Sequence, residues 1–133
     1  MSGRPFLDSN ALLYLIGADP GKAAKARDLI DAGGVVTVQV LNEFTNVARR
    51  KQALDWDEIE DMLDRIKQLC EVHSMTLVTH ENAVGLARRL QYGIYDAMIL
   101  AAALEHNCDQ VLSEDMQDGQ RIDRRLTIRN PFA

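Results

Sequence analysis

Short apolar runs and helix-period stripes alternate along this chain. Phe6-Leu7 is a short apolar run ending at Asp8 and reads as a buried first strand. Ala11 to Ile16 is apolar and helix-prone and breaks at Gly17. Asp19-Pro20 has the form of a helix start, with an N-cap acid and proline at the first helical position. That helix carries Ala23, Ala26, Leu29 and Ile30 and stops at Gly33-Gly34. Val35 to Val38 is β-branched and predicts a second strand. Gln39 to Arg50 predicts a helix, with Val40, Leu41, Phe44, Val47 and Ala48 on one face. Asp55 with Glu58 forms a capping-box pattern before the stripe Ile59, Met62, Leu63, Ile66 and Leu69.

Val72 to Val78 predicts a third strand, His80 to Gln91 a helix, and Ile94 to Glu105 a helix apolar nearly all round, hence deeply buried. Val111 to Ser113 and Leu126 to Ile128 read as short strands, with a turn at Gly119 between them. Strands alternating with helices predict an α/β fold with a mostly parallel sheet covered by helices on both faces. With 133 residues and neither a repeat nor a linker, one domain, 1–133, accounts for the chain.

Composition narrows the classes. At 47% apolar residues the chain can fill an ordinary core. It has no run of the ~18 uncharged apolar residues that a membrane helix needs. Met1 to Pro5 leads into the first strand without a signal-peptide layout, so the expected location is cytoplasmic. Cys70 and Cys108 lack metal or disulfide-scaffold spacing and read as buried thiols; His73, His80 and His106 include no i, i+4 zinc pair. A net charge of −5 runs against nucleic-acid binding. Four carboxylates committed to a metal would account for most of it, however. The cations also come in groups, Arg49-Arg50-Lys51, Arg88-Arg89 and Arg124-Arg125, which as a set could form a phosphate track or, singly, solvated helix faces.

Four acids stand out from the packing pattern. Asp8 ends the first strand and Asp115 follows the Val111 to Ser113 strand. Glu43 falls in the apolar stripe of its helix, between Val40 and Val47, and Asp96 begins the most apolar helix, above Ile99 and Leu100. Glu43 and Asp96 should therefore point inward or sit at the edge of the core. Taken singly, Asp8 is equally a helix cap, Asp115 a turn residue, and Glu43 or Asp96 half of a buried ion pair. Taken together, they would repel one another unless a divalent cation relieved the repulsion, and oxygen-only ligands favour Mg²⁺ or Mn²⁺. Carboxylates holding such an ion beside a phosphodiester make a nuclease site that needs no side-chain nucleophile; no nucleophile-elbow serine or Cys–His pair is visible.

The motifs carrying these acids resemble those of PIN domains. Phe6-Leu7-Asp8-Ser9-Asn10 with Leu12-Leu13-Tyr14 is similar to the first, Gln39-Val40-Leu41-Asn42-Glu43-Phe44 to the second, Tyr95-Asp96-Ala97-Met98 with Ile99 to Ala103 to the third, and Leu112 to Gly119 to the fourth. The four occur in order over nearly the whole chain. The resemblance implies a three-layer α/β/α sandwich around a mostly parallel sheet of about five strands, with the first and fourth strands adjacent. It implies Asp8, Glu43, Asp96 and Asp115 as metal-binding and catalytic acids and Mg²⁺ (or Mn²⁺) as cofactor. Asn10 and Ser113 match polar motif positions that support the acids or touch phosphate. Asp118 is a further candidate ligand, although a turn role before Gly119 suits it better.

The implied reaction is endonucleolytic hydrolysis of RNA. A chain with little beyond the core resembles the toxins of prokaryotic toxin–antitoxin modules, which implies a homodimer and a cognate antitoxin protein. An apolar groove between the helices of Ala11 to Ile16 and Ile59 to Leu69 would suit an antitoxin helix. Rival readings are a non-catalytic RNA-binding PIN domain, a phosphorelay receiver and a Rossmann nucleotide-binding domain. Aromatics at 5% argue against an aromatic base-stacking platform. The last lysine is Lys67, so the late lysine of a receiver is missing, and there is no glycine-rich phosphate loop.

Overall fold

Two parallel neighbours flank the first strand, and this arrangement sets the geometry of everything else. The computed structural model describes residues 3–133; Met1 and Ser2, part of the leader read above, lie outside them. The strands are β1 (Phe6–Leu7), β2 (Val35–Thr37), β3 (Glu71–His73), β4 (Gln110–Leu112), β5 (Arg121–Ile122) and β6 (Leu126–Arg129). They form one sheet in the order β3-β2-β1-β4-β6-β5. Every pairing is parallel except β5–β6. The helices are α1 (Ser9–Leu13), continued by a 3₁₀ turn over Tyr14–Ile16, α2 (Pro20–Asp31), α3 (Val38–Arg50), α4 (Trp56–Leu69), α5 (Leu77–Leu90) and α6 (Ile94–Glu105).

Chain order walks outward from β1 to β3 and then returns to place β4 on the other side of β1. Right-handed crossovers in opposite directions put helices on opposite faces. The packing agrees: α1 to α4 contact one another, and α5 packs on α6. The core lies between these layers, around Phe6, Leu7, Leu12, Val36, Phe44, Ile66 and Leu100. No helix among the described residues is long and apolar enough to cross a membrane.

The sheet has six strands rather than about five. The additional β5 is two residues long, with no apolar run to announce it. It exists because Asp123 and Arg124 take left-handed backbone angles (φ 51° and 58°) that turn the chain back onto β6. The third strand also differs from the expectation over Val72 to Val78. It ends at His73, and Thr76 and Thr79 form a reciprocal cap that starts α5 at Leu77. Likewise Val38 belongs to α3, because the Thr37 hydroxyl accepts from the Val40 N–H and closes the strand. The other caps match the sequence: Asp19 accepts from the Gly21 and Lys22 N–H groups, and Asp55 with Glu58 makes the capping box. Gly34 packs closely; a methyl there would meet the Pro5 carbonyl oxygen at 2.9 Å. Both cysteines are buried free thiols, and burial pushes Cys108 up to about 12.

Candidate active site

Where chain order reverses, between β1 and β4, the loops beyond the strand ends splay apart and leave a crevice. Asp8 and Ser113 occupy equivalent places there, each one residue beyond the register Leu7 opposite Leu112. The Asp8 N–H donates to the Leu112 carbonyl at 3.2 Å, and the Ser113 hydroxyl donates to Asp8 Oδ2 at 2.8 Å. The other oxygen of Asp8 accepts from the Ser9 N–H at 2.6 Å and caps α1. Asp8 is therefore both a helix cap and a site residue. Its side chain is buried but keeps acceptor capacity, since a carboxylate offers about four lone-pair directions.

Asp115 lies in the loop after β4 and is exposed. The Asn10 amide donates to Asp115 Oδ2 at 3.0 Å, and the Asp115 N–H donates to Ser113 Oγ at 3.2 Å. The Glu114 N–H donates to Asn10 Oδ1 at 3.4 Å, which ties the β4 loop to α1. Met116, buried directly after Asp115, anchors the loop from below.

Asp96 is half-buried in the first turn of α6, at the edge of the core as expected. Glu43 is not: it is exposed. The buried stripe of α3 runs through Val40, Phe44 and Ala48, and Glu43 sits one position off it, in line with Gln39 and Asn46. Burial alone thus did not force these acids to find partners. Among the described residues, none of the four makes an ion pair.

Their charges nevertheless act on one another. Burial lifts the Asp8 carboxyl to about 6 against the lowering effect of Ser113 and Ser9, and the charges of Glu43 and Asp96 add to the rise. Glu43 is raised by partial desolvation and by Asp96, against hydrogen bonds from Gln39 and Ser9. Asp96 is raised by desolvation and by the charge of Asp115. Mutual repulsion therefore links Asp8, Glu43, Asp96 and Asp115, and no lysine or arginine offsets it. Lys22, close in the fold, is committed to Glu114: its Nζ is 3.2 Å from Glu114 Oε2 and donates to the Tyr14 hydroxyl at 3.1 Å, and Tyr14 in turn donates to Glu114. Phe132 packs on the Tyr14 ring at 4.5 Å.

The acids confront one another at longer range than ligands of one ion do. Among the described residues, no three His, Cys, Asp or Glu side chains are drawn together closely enough to hold a metal. Glu43 and Asp115 are exposed. The donor chemistry fits a hard divalent cation: oxygen ligands only, several formal negative charges and raised proton affinity.

Asp118 is not part of this constellation. Its Oδ1 accepts from the Asn130 N–H at 3.0 Å, a turn role that ties two loops together. Ser9, Gln39 and the Tyr14–Lys22–Glu114 network were missed. Gln39 had a signal in its i−4 spacing from Glu43; the other contacts arise between distant segments. Each basic group spends an arginine on structure. Arg49 donates to the Leu54 carbonyl and lies over Trp56, Arg89 pairs with Asp123, and Arg125 donates to the Leu104 carbonyl. Arg50, Lys51, Arg88 and Arg124 stay exposed.

A parallel sheet with an acidic crevice at its switch point defines a class of α/β/α proteins, and the sequence narrows it further. The family model for the PIN domain matches residues 6–123, and the chain belongs to that family. The receiver and Rossmann readings fall with this. No curated protein matches the sequence. Among solved structures, the chain is similar to a toxin–antitoxin complex from Klebsiella pneumoniae, with TM-score 0.72, 17% identity and 96% of this chain and 98% of that one covered. It is also similar to VapC20 of Mycobacterium tuberculosis, described as a toxin that cleaves the sarcin–ricin loop, with TM-score 0.66, 18% identity and 83% and 90% covered. A third, VapBC2 from Rickettsia felis bound to a DNA fragment from its promoter, has TM-score 0.67, 17% identity and 94% and 96% covered. At these identities the likeness shows a shared fold.

Proposed function

We propose that this protein is a divalent-metal-dependent endoribonuclease and the toxin of a toxin–antitoxin pair. The observation that carries the reading is the set of four carboxylates near the switch point of the sheet whose charges repel and which no lysine or arginine pairs with among the described residues. A fold tolerates such repulsion where function requires it. Asp8, Glu43, Asp96 and Asp115 are the residues that would hold Mg²⁺ or Mn²⁺. When bound, the ion supplies a water of lowered pKa and offsets the charge that develops on the phosphodiester. Asp8 serves as the fixed ligand, oriented by the Ser113 hydroxyl and the Ser9 N–H. Asn10 orients Asp115 through its amide and holds the β4 loop against α1. Glu43 and Asp115, both exposed, meet the substrate side of the crevice.

The toxin part of the reading draws on the three structural neighbours, toxins or toxin complexes that align over most of both chains. The cognate antitoxin would seat an apolar helix in a cavity of about 210 Å³ lined by Leu15, Ile30, Met62 and Ile66, with Arg27 and Arg65 at its rim. That is the groove expected between the Ala11 to Ile16 and Ile59 to Leu69 segments. A homodimer acting in the cytoplasm completes the proposal.

The test is cleavage of a structured and an unstructured RNA by purified protein, with Mg²⁺ or Mn²⁺ and with EDTA, beside Asp96→Asn. Metal-dependent cleavage that disappears in the variant supports the reading. Equal cleavage by the variant removes the acids from the mechanism. Stoichiometric binding of RNA without cleavage by either protein favours a non-catalytic PIN domain.

A further inference from the structure

Beside Glu43 the surface opens into a shallow pocket of about 330 Å³ lined by Gln39, Asn42, Glu43, Asn46 and Tyr95. Its composition differs from the rest of the acidic crevice, with three primary amides, one phenol ring and a single carboxylate. Residues 39, 42, 43 and 46 follow i, i+3, i+4, i+7 spacing and so form one stripe along α3, with Glu43 in line with the amides. Tyr95 comes from another element, the start of α6, immediately before Asp96. Tyr95 is 68% exposed and shares the pocket with Glu43, one residue before Asp96 in the chain.

An exposed aromatic ring next to a phosphodiester-cleaving centre offers a stacking face for a base. Amides beside it carry both donors and acceptors and can read the hydrogen-bonding edge of an unpaired base. Carboxylates repel a phosphate backbone; neutral amides do not. The overall scarcity of aromatics excludes a platform of several rings, but a single ring placed at the site suffices for one base.

We infer that this pocket is a nucleobase subsite: it takes one unpaired base of the RNA strand flanking the scissile phosphate, stacked on Tyr95, with Asn42 and Asn46 setting base preference. The inference rests on the ribonuclease reading. The backbone passes over Glu43 and Asp96, and the base turns into the pocket between α3 and α6. Tyr95 and the amides are positioning residues that act on substrate selection; none takes part in bond cleavage.

Binding separates this inference from the catalytic reading. In an Asp96→Asn background with Mg²⁺ present, fluorescein-labelled single-stranded RNA oligonucleotides are titrated, intact and with an abasic ribose at each position in turn. Tyr95→Ala should weaken binding of the intact RNA roughly 5- to 150-fold, and Tyr95→Phe should keep most of the affinity. One abasic position should cost as much as Tyr95→Ala and cost nothing more when the two are combined. In the cleaving protein, Asn42→Ala should change the ratio of KM between RNAs that differ at that position while kcat stays within about threefold. Additive losses from the abasic and Tyr95→Ala changes would overturn the subsite. So would unchanged RNA affinity together with a lower sedimentation mass in Tyr95→Ala, which would assign the pocket to a second copy of the chain. Tyr95 is largely exposed, so an unfolded variant is not expected, and circular dichroism checks that directly.

Discussion

The two ends of the sheet hold the same kinds of charged residue and treat them in opposite ways. At the ends where the strands begin, acids meet bases. Arg4 Nη1 is 3.0 Å from Glu71 Oε2, the His73 ring contacts the other Glu71 oxygen, and Arg125 donates to the Leu104 carbonyl at 3.1 Å and to Asn107 Oδ1 at 3.3 Å. The hydrogen bond from His73, helped by the Arg4 charge, holds the Glu71 carboxyl below its ordinary value. At the ends where the strands finish, Asp8, Glu43 and Asp96 are all held above theirs. Ionised carboxylates at the first end help hold the fold together. Asp8, Glu43 and Asp96 at the second end oppose it, although Glu114 beside them is paired with Lys22; the neutral donors Ser113 and Ser9 fix Asp8 without cancelling its charge. The contrast supports the proposed site without any knowledge of substrate.

The sharpest way to break the contrast is to neutralise the buried member. Asp8→Asn keeps a capping oxygen for α1 but removes the charge, and should lower metal-dependent RNA cleavage by at least ~100-fold while helix content by circular dichroism stays unchanged. A variant that cleaves normally would show the charge at position 8 to be dispensable.

Acidity gives the next largest effect. The folded-state value of Asp8 lies near 6, above its ordinary 3.8, so its contribution to stability is complete below about pH 3.8 and is lost as pH rises through about 6. Without metal, thermal unfolding should therefore show a loss on the order of 2 kcal/mol across that window, offset in part by other groups. On the proposed reading Mg²⁺ competes with the proton, so saturating Mg²⁺ should flatten the loss, and its apparent affinity should rise with pH over the same range. A metal-free melting temperature that climbs from pH 4 to 6.5 in wild type but not in Asp8→Asn would contradict this.

Smaller effects sharpen the comparison. Glu43→Gln removes a repelled but exposed charge. After allowance for solvent screening it should raise the metal-free melting temperature by about 2 °C, roughly 0.5 kcal/mol, and the gain should vanish in saturating Mg²⁺. Glu71→Gln at the opposite end should do the reverse, lowering stability by under ~0.5 kcal/mol and leaving RNA cleavage at the wild-type rate. If Glu71→Gln impaired cleavage, the two ends would not be functionally separate.

Most of the arrangement was legible in the chain because local rules govern it. The Asp19-Pro20 start, the Asp55–Glu58 box and the all-apolar stretch from Ile94 to Glu105 each follow from propensity and burial within a few residues. The four acids were legible because two follow short strands and two sit on helices rich in apolar residues. What escaped depends on distance in sequence. The β5 hairpin forms through two left-handed backbone positions, not through an apolar pattern. The exposure of Glu43 was missed because Val47, half-buried, carried equal weight with Val40 in the stripe. The Tyr14–Glu114 and Asn10–Asp115 bonds join residues about a hundred positions apart, and only the parallel pairing of β1 with β4 brings them together.

That pairing also gives the site two clocks. The Asp8 N–H is hydrogen-bonded to the Leu112 carbonyl in the centre of the sheet, so its exchange with solvent deuterium requires opening of the most protected part of the molecule. Glu43 and Asp115 lie on exposed surface, where side chains reorient in picoseconds to nanoseconds. One acid therefore keeps its place over the lifetime of the folded state, while the side chains of Glu43 and Asp115 reorient many times within it.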